Sequence, residues 1–308
     1  MISNILRKLI SFLSSWYPNK DISEKKDNYL RNKISEKITK VKINDKNLQN
    51  AHKNFNIQLL NLLKDKNIKN FLRKNFIQKM FFLHNRLFVL KELKEIQKSK
   101  NWNFYKKLLK EDNIGNPIRY FLYLDSSGNR INHVFHLYLL ENELKINLKK
   151  EVKKVFEFGA GYGCMARIFS KINKKIKYTC FDTCYVNLLQ YYYLSHNNLD
   201  TGFSKSSRFY LKSDINELSK KKDLFIANWS LSETPINFRK KFNSQISNSK
   251  FIFISFQEKF ENINNLQYFN DLKYKLKNKF KIKILKNQFY KGNFLNKQNH
   301  FFLIGKKL

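Results

Sequence analysis

Residues 151–308 predict a doubly wound α/β domain, a seven-stranded mostly parallel sheet with its last strand antiparallel. The residues before them predict a helical N-terminal region. Three observations carry this. After Lys150, short apolar runs alternate with helix-length segments, which implies right-handed crossovers and a parallel sheet covered on both faces. The first of these runs ends in clustered glycines, in a chain with only 8 Gly and 3 Pro. The last two runs are joined by a loop alone, too short for a parallel crossover, so they should pair antiparallel.

Taken in order, the elements begin with Ile2, Ile5, Leu6, Leu9, Ile10, Leu13 and Trp16 at helical spacing, with Arg7 and Lys8 among them. A helix docked on protein is the favoured reading of residues 1–17, and a peripheral membrane-surface helix is the alternative. Residues 20–50 are the most charged, and partial disorder is expected there. From Asp21 to Lys110 there is neither Gly nor Pro. Phe55, Ile57, Leu59, Leu60, Leu62 and Leu63, and the stretch from Phe81 to Leu93, read as amphipathic helices. Residues 1–110 therefore form one helical region. Gly115-Asn116-Pro117 and Ser126 to Asn129 are turn chemistry, and a helix from about Asn132 to Leu148 completes a substrate-side segment, residues 111–150. Strands are then expected at Val152–Phe158, Tyr178–Phe181, Arg208–Leu211, Leu224–Asn228, Phe251–Phe256, Lys281–Leu285 and Phe301–Ile304. The intervening helices include Cys164–Ile172 and Tyr185–His196.

Composition narrows the function classes. Hydrophobic residues make up 42%, with 29 Phe and 16 Tyr, enough for a packed core. The formal charge of +36 suggests nucleic acid at first sight. However, the excess is nearly all Lys, spread along the chain, while Arg, which makes bidentate phosphate and base contacts, is scarce. A solvated surface is the better reading, and no nucleic-acid partner is expected. The three cysteines, Cys164, Cys180 and Cys184, match no zinc spacing and no disulfide framework, which fits a reducing cytoplasm. No secretory signal or run of 18 apolar residues stands out, so the expected location is cytoplasmic, with contact at the inner face of the membrane as the variant that residues 1–17 allow.

The most informative segment is Val155-Phe156-Glu157-Phe158-Gly159-Ala160-Gly161-Tyr162-Gly163. A buried strand runs into a turn where glycines permit positive φ and close approach of a ligand, and the helix from Cys164 aims its amide end at that ligand. A dinucleotide fingerprint places its third small residue at the sixth position, where Cys164 stands. Glycines at alternate positions after an acid, Glu157, are instead the pattern of S-adenosylmethionine-dependent methyltransferases. Asp182 ends the next strand, a little over twenty residues beyond Gly159, where a carboxylate can accept bonds from both ribose hydroxyls, with Thr183 beside it. Asp214 and Ile215 follow the third strand and suit the adenine, although Asp214 reads equally well as a helix N-cap. Asn228 ends the fourth strand at the same edge.

Phe156 to Phe169, then Phe181-Asp182 with Leu188 to Gln190 and Tyr192 to Leu194, resemble the sugar O-methyltransferases of bacterial surface-glycan gene clusters. Asn228-Trp229-Ser230-Leu231-Ser232-Glu233-Thr234-Pro235 and Glu111 to Pro117 are similar to two further segments of that family, so that the resemblance spans residues 111–305. It implies a Rossmann-like class I methyltransferase fold, S-adenosylmethionine as cofactor, and a sugar or glycan acceptor, either a nucleotide sugar or a growing polysaccharide. Asn116, Trp229 and Ser230 are the implied substrate residues. Cys164 departs from the small residue more often found there.

Methyl transfer to a hydroxyl needs positioning and a general base or a metal. Reacting groups should project from the carboxyl ends of the parallel strands. Glu233 follows the fourth strand on that edge, and His300, which opens the reversed last strand, lies on it too. Glu258 is a third candidate. His300 is the first choice as base, since imidazole titrates near neutral pH, with Glu233 as base, sugar ligand or helix cap. No cluster has metal spacing, and no obligatory metal is expected. One rival is a nucleic-acid (RNA) methyltransferase. The sequence lacks both the Pro-Pro-aromatic motif of amino-methylating enzymes after the fourth strand and a Pro-Cys nucleophile. The other rival is a non-catalytic S-adenosylmethionine-binding domain.

Overall fold

A computed structural model describes residues 22–39, 50–81, 85–216, 218, 221–290 and 298–308. The predicted helix within residues 1–17 and the loop around Gly292 lie outside the described residues.

The N-terminal region is helical: Glu24–Ile38 (α1), Asn50–Lys64 (α2), a 3-10 segment Lys66–Arg73, Asn75–Phe81 (α3), Leu87–Gln97 (α4) and Trp102–Leu109 (α5). The disorder expected over 20–50 does not hold for α1, while residues 40–49 lie outside the described residues. Its surface is charged, but Leu30 and Ile34, four residues apart, are buried on one face, and that face docks on the body of the protein. In α2, Phe55, Leu59, Leu62 and Leu63 are buried while Ile57 points outward. This is the amphipathic division the spacing predicts.

A short hairpin, Arg119–Tyr120 with Tyr123–Ser127, leads into Gly128–Leu144 (α6). This helix begins four residues earlier than predicted, because the Ser127 side chain caps it by accepting from the Arg130 amide, and it ends at Lys145 in the left-handed conformation. It is buried around nearly its whole circumference, since it runs between α4 on one side and the sheet on the other. The turn Leu148–Glu151 (α7) follows.

The main sheet contains Lys154–Phe158 (β1), Lys177–Phe181 (β2), Thr201–Gly202 (β3), Phe209–Lys212 (β4), Lys222–Asn228 (β5), Ser249–Gln257 (β6), Phe280–Lys286 (β7) and His300–Lys307 (β8). Cys164–Ile172 (α8), Cys184–His196 (α9), Ile236–Lys240 (α10), Asn243–Ser247 (α11) and Asn265–Leu276 (α12) connect them. The strand order is β7-β8-β6-β5-β1-β2-β4-β3. All pairs are parallel except those of β8, which runs against both β6 and β7. The sheet thus has the Rossmann-like methyltransferase order with its last strand reversed. It has eight strands rather than seven, because the two-residue β3 adds to the far edge; two residues carry too little pattern to be read from sequence.

Residues alternate between two cores, as the strand period of two requires. Val155, Tyr178, Cys180, Leu224, Ile226 and Phe253 face the helical N-terminal side. Phe156, Phe158, Phe181, Phe225, Ala227 and Ile254 face α11 and α12. Glu157 shares the parity of Val155 and so points into the first core. Among the described residues, no helix is long and apolar enough to cross a membrane.

Candidate active site

Strand order reverses direction between β1 and β5, and the carboxyl ends of these two neighbours define the crevice where open α/β sheets take ligands. The glycine loop lies there. Gly159, Gly161 and Gly163 have φ of +68°, +54° and +95°, a region that L side chains rarely adopt. A Cβ on Gly159 would overlap Ser230, whose hydroxyl donates to the Phe158 carbonyl at 2.5 Å. One on Gly163 would meet Leu194 at 3.3 Å, so this glycine lets α8 start close against α9. Ala160 is buried within the loop. Gly161 differs. The space beside it, expected for ligand, holds the Phe81 ring from the end of α3, 3.4 Å from where its Cβ would stand.

The two predicted acids flank this loop. Glu157 is buried and accepts from the Tyr178 hydroxyl at 2.8 Å. Burial pushes its pKa up to about 8, against the pull of Tyr178. Asp182 accepts from the Gly161 amide at 2.9 Å and from the Thr183 amide at 2.8 Å. Burial raises it to about 7, opposed by those two amides. Thr183 in turn donates its hydroxyl to the Asn56 side chain of α2 at 3.3 Å, so the N-terminal helices reach the cofactor side of the crevice. Asp214 is exposed and makes an Asx turn to the Asn216 amide and an ion pair with Lys212, rather than capping a helix. Ile215 packs on the second core.

Tyr162 turns inward. Its ring packs between Phe71 and Tyr193, and its hydroxyl accepts from Asn129 Nδ2 at 3.1 Å. Asn116, expected near the substrate, binds Arg73 through its carbonyl and side-chain oxygens and Asn70 through its amide. It fixes the turn whose Gly115 lies against Phe71. Asn116 therefore sits behind Tyr162 and braces it.

The other side of the crevice is built on β5, β6 and β8. Trp229 has φ +59°, a strained backbone held by its amide's bond to the Ser255 carbonyl. Its ring stands edge-on between His136 (6.3 Å) and His300 (5.9 Å). His300 lies against Tyr290, with ring centroids 3.7 Å apart, and pairs in register with Gln257. Gln257 Nε2 donates to Glu233 at 3.3 Å, so the two predicted catalytic residues do converge on one edge. Burial raises Glu233 to about 7 and lowers His300 to about 4. Glu258 is instead engaged by the Asn299 backbone and side-chain amides. Among the described residues, no group of three or more His, Cys, Asp or Glu could hold a metal ion.

Sequence reading put α6 in a substrate-side segment but named neither of its two crevice histidines, His133 and His136. His136 Nδ1 donates to Asn228 Oδ1 at 3.0 Å, and His133 Nδ1 donates to the Asn129 carbonyl at 3.0 Å. The one available signal was a pair of histidines at i and i+3 on a helix after turn residues, and the fold alone shows that this helix crosses the crevice. Behind it, the fully buried Arg130 joins Glu111 (2.7 Å) and Asp112 (2.8 Å), and Arg167 of α8 joins Asp112. Burial alone would raise the Asp112 carboxyl, but Arg130, Arg167 and Lys171 hold it well below the usual range. This network clamps α6 to α8.

No family model matches the chain, and neither does any curated protein. Solved structures similar to it include a proposed RNA methyltransferase from Pyrococcus horikoshii, at 14% identity and TM-score 0.39, over 58% of this chain and 85% of that one. Precorrin-6y C5,15-methyltransferase from Geobacter metallireducens matches at 9% identity and TM-score 0.37, over 56% and 86%. The N-terminal domain of human METTL16, in complex with SAH, matches at 10% identity and TM-score 0.39, over 57% and 70%. Likenesses this distant leave the fold resting on the strand order above and decide nothing about the acceptor.

Proposed function

We propose that the chain is an S-adenosylmethionine-dependent methyltransferase acting on a sugar hydroxyl, in the assembly of bacterial surface polysaccharide. The observation that carries the cofactor half is the loop of three positive-φ glycines at the strand-order reversal, bracketed by the carboxyls of Glu157 and Asp182. The donor set suits a sulfonium nucleoside. In this reading Asp182 and Thr183 take the ribose hydroxyls, and Ile215 and Asp214 take the adenine. The loop from Gly159 to Gly163, with Glu157 and Asn228, is left for the methionine end. When bound, this cofactor supplies an electrophilic methyl group. The chain's own residues orient the acceptor and receive its proton.

The sugar half rests on the resemblance and on the character of the acceptor side. Trp229, only partly buried, offers aromatic surface to the C–H face of a sugar ring, while His300 and Glu233 offer polar groups to its hydroxyls. Such an acceptor, a nucleotide sugar or a growing glycan, belongs to the cytoplasm or to the inner face of the membrane.

The test is calorimetry with S-adenosylhomocysteine, followed by labelled methyl transfer to a panel of nucleotide sugars and, separately, to total RNA at physiological salt. Cofactor binding with label in a nucleotide sugar is expected. Label in RNA with salt-sensitive binding would replace the sugar by RNA. Binding without transfer to any acceptor would favour a non-catalytic domain.

A further inference from the structure

Helix α6 is tied to the crevice at two points. Asn129, in its first turn, donates to Tyr162 of the loop after β1. His136, two turns on, donates to Asn228 at the end of β5. Because β1 and β5 are adjacent, the helix between these ties spans the strand-order reversal. His133 lies four residues after Asn129 and three before His136, and so on the same face. Its ring centroid is 6.1 Å from that of His136.

We infer that His133 is the group that receives the acceptor's proton, a role that deepens the methyltransferase reading and rests on it. Three features fit. Its Nδ1–H is committed to the Asn129 carbonyl, which fixes the tautomer and leaves Nε2 as the nitrogen that can accept. It is only partly buried, whereas the His136 ring is enclosed by Phe253, Phe302 and Trp229 and its Nε2 is buried without a partner. His300, by contrast, lies on β8, two strands from β5. Burial pushes His133 down to about 4, with nearby Arg130 adding to this and the Asn129 carbonyl opposing, so the imidazole is neutral at pH 7 and readily gives up to solvent any proton it takes. In the transfer, the acceptor oxygen forms a bond to the methyl carbon, the methyl–sulfur bond breaks with its pair left on sulfur, and the hydroxyl proton passes to His133 Nε2 and then to solvent. His136 acts through Asn228 as a positioning residue. His300 and Glu233 then hold the acceptor.

The experiment is nitrogen NMR of the imidazoles in the full chain, with S-adenosylmethionine and with S-adenosylhomocysteine, assigned by H133Q. These ligands differ by the methyl group and its positive charge. A His133 Nε2 resonance that differs between the two complexes, more than that of His300, is expected. Identical His133 shifts in two saturated complexes would overturn the inference while leaving the methyltransferase reading intact. Absence of binding by either ligand would overturn that reading, and the inference with it. With any acceptor found above, H133A should cut kcat roughly 100-fold with unchanged S-adenosylhomocysteine affinity. Restoration by H133Q, which cannot take up the proton, would also overturn the inference.

Discussion

The two halves of the crevice treat their titratable groups differently. On the β1–β2 side the protein satisfies its own acids, with Asp182 bound by two backbone amides and Glu157 by Tyr178. On the β5–β8 side, His136 Nε2 and His300 Nδ1 are buried without a partner, next to a tryptophan in a strained backbone. A buried, unsatisfied nitrogen costs about 1–3 kcal/mol. Its presence twice around one ring marks a surface shaped for something other than its own stability. On the proposed reading the first half would hold the cofactor, and the second is where acceptor chemistry would be set.

The sharpest way to break this contrast is at the glycines. Gly161→Val should weaken S-adenosylhomocysteine binding about 10-fold or more in calorimetry, because a side chain at φ +54° adds backbone strain of about 1–2 kcal/mol that shifts the loop, while its Cβ meets Phe81 at ordinary contact distance and so lowers the melting temperature only modestly. Gly159→Val, driven into Ser230, should unfold the chain at a markedly lower temperature. If Gly161→Val binds normally, the loop is not a cradle.

Asn228 stands between the two halves: it ends β5 beside β1, its Oδ1 accepts from His136, and its buried Nδ2 has no partner among the described residues. Asn228→Ala should therefore weaken cofactor binding about 10-fold, the value of one hydrogen bond, and slow turnover further. An effect on only one of the two would separate the halves. On the acceptor side alone, His300→Ala and Glu233→Gln should each raise the KM for acceptor about 10-fold with cofactor affinity unchanged. A matching loss of S-adenosylhomocysteine affinity would contradict that division.

The smallest effect concerns stability. Glu92 of α4 is fully buried against Asn132 of α6, and burial raises it from 4.5 to about 8 although Asn132 opposes this. Its proton is thus held more tightly in the folded state. The resulting linkage costs nothing below pH 4.5 and grows as pH rises toward 8. Glu157 has the same sign. The lowered imidazoles His133, His136 and His300 act oppositely between about pH 4 and 6.5, with stability rising as pH rises. Glu92→Gln should leave the melting temperature unchanged at pH 5 and raise it by a few degrees at pH 8. A gain that is equal at both values would mean the carboxyl is ionised in the fold.

Much of the fold was legible because it depends on local pattern. Short apolar runs, glycine punctuation and the short final connection gave nearly every strand and the reversed pairing of β8, with boundaries shifted by up to three residues. The convergence of Glu233 and His300 followed from the same topology. Illegible were α1's order, which comes from docking Leu30 and Ile34 on another element, and Asn116's partnership with Arg73, which joins residues 43 apart.

By itself, then, the sequence determined the sheet, the glycine turn and the acids beside it, because backbone conformation and strand parity are properties of neighbouring residues. Only the tertiary structure decided that α6 crosses the strand-order reversal, that its His136 meets Asn228 and Trp229, and that Phe81 rests on Gly161. Those contacts bring together side chains far apart along the chain. Packing geometry fixes such meetings, and no local pattern encodes them.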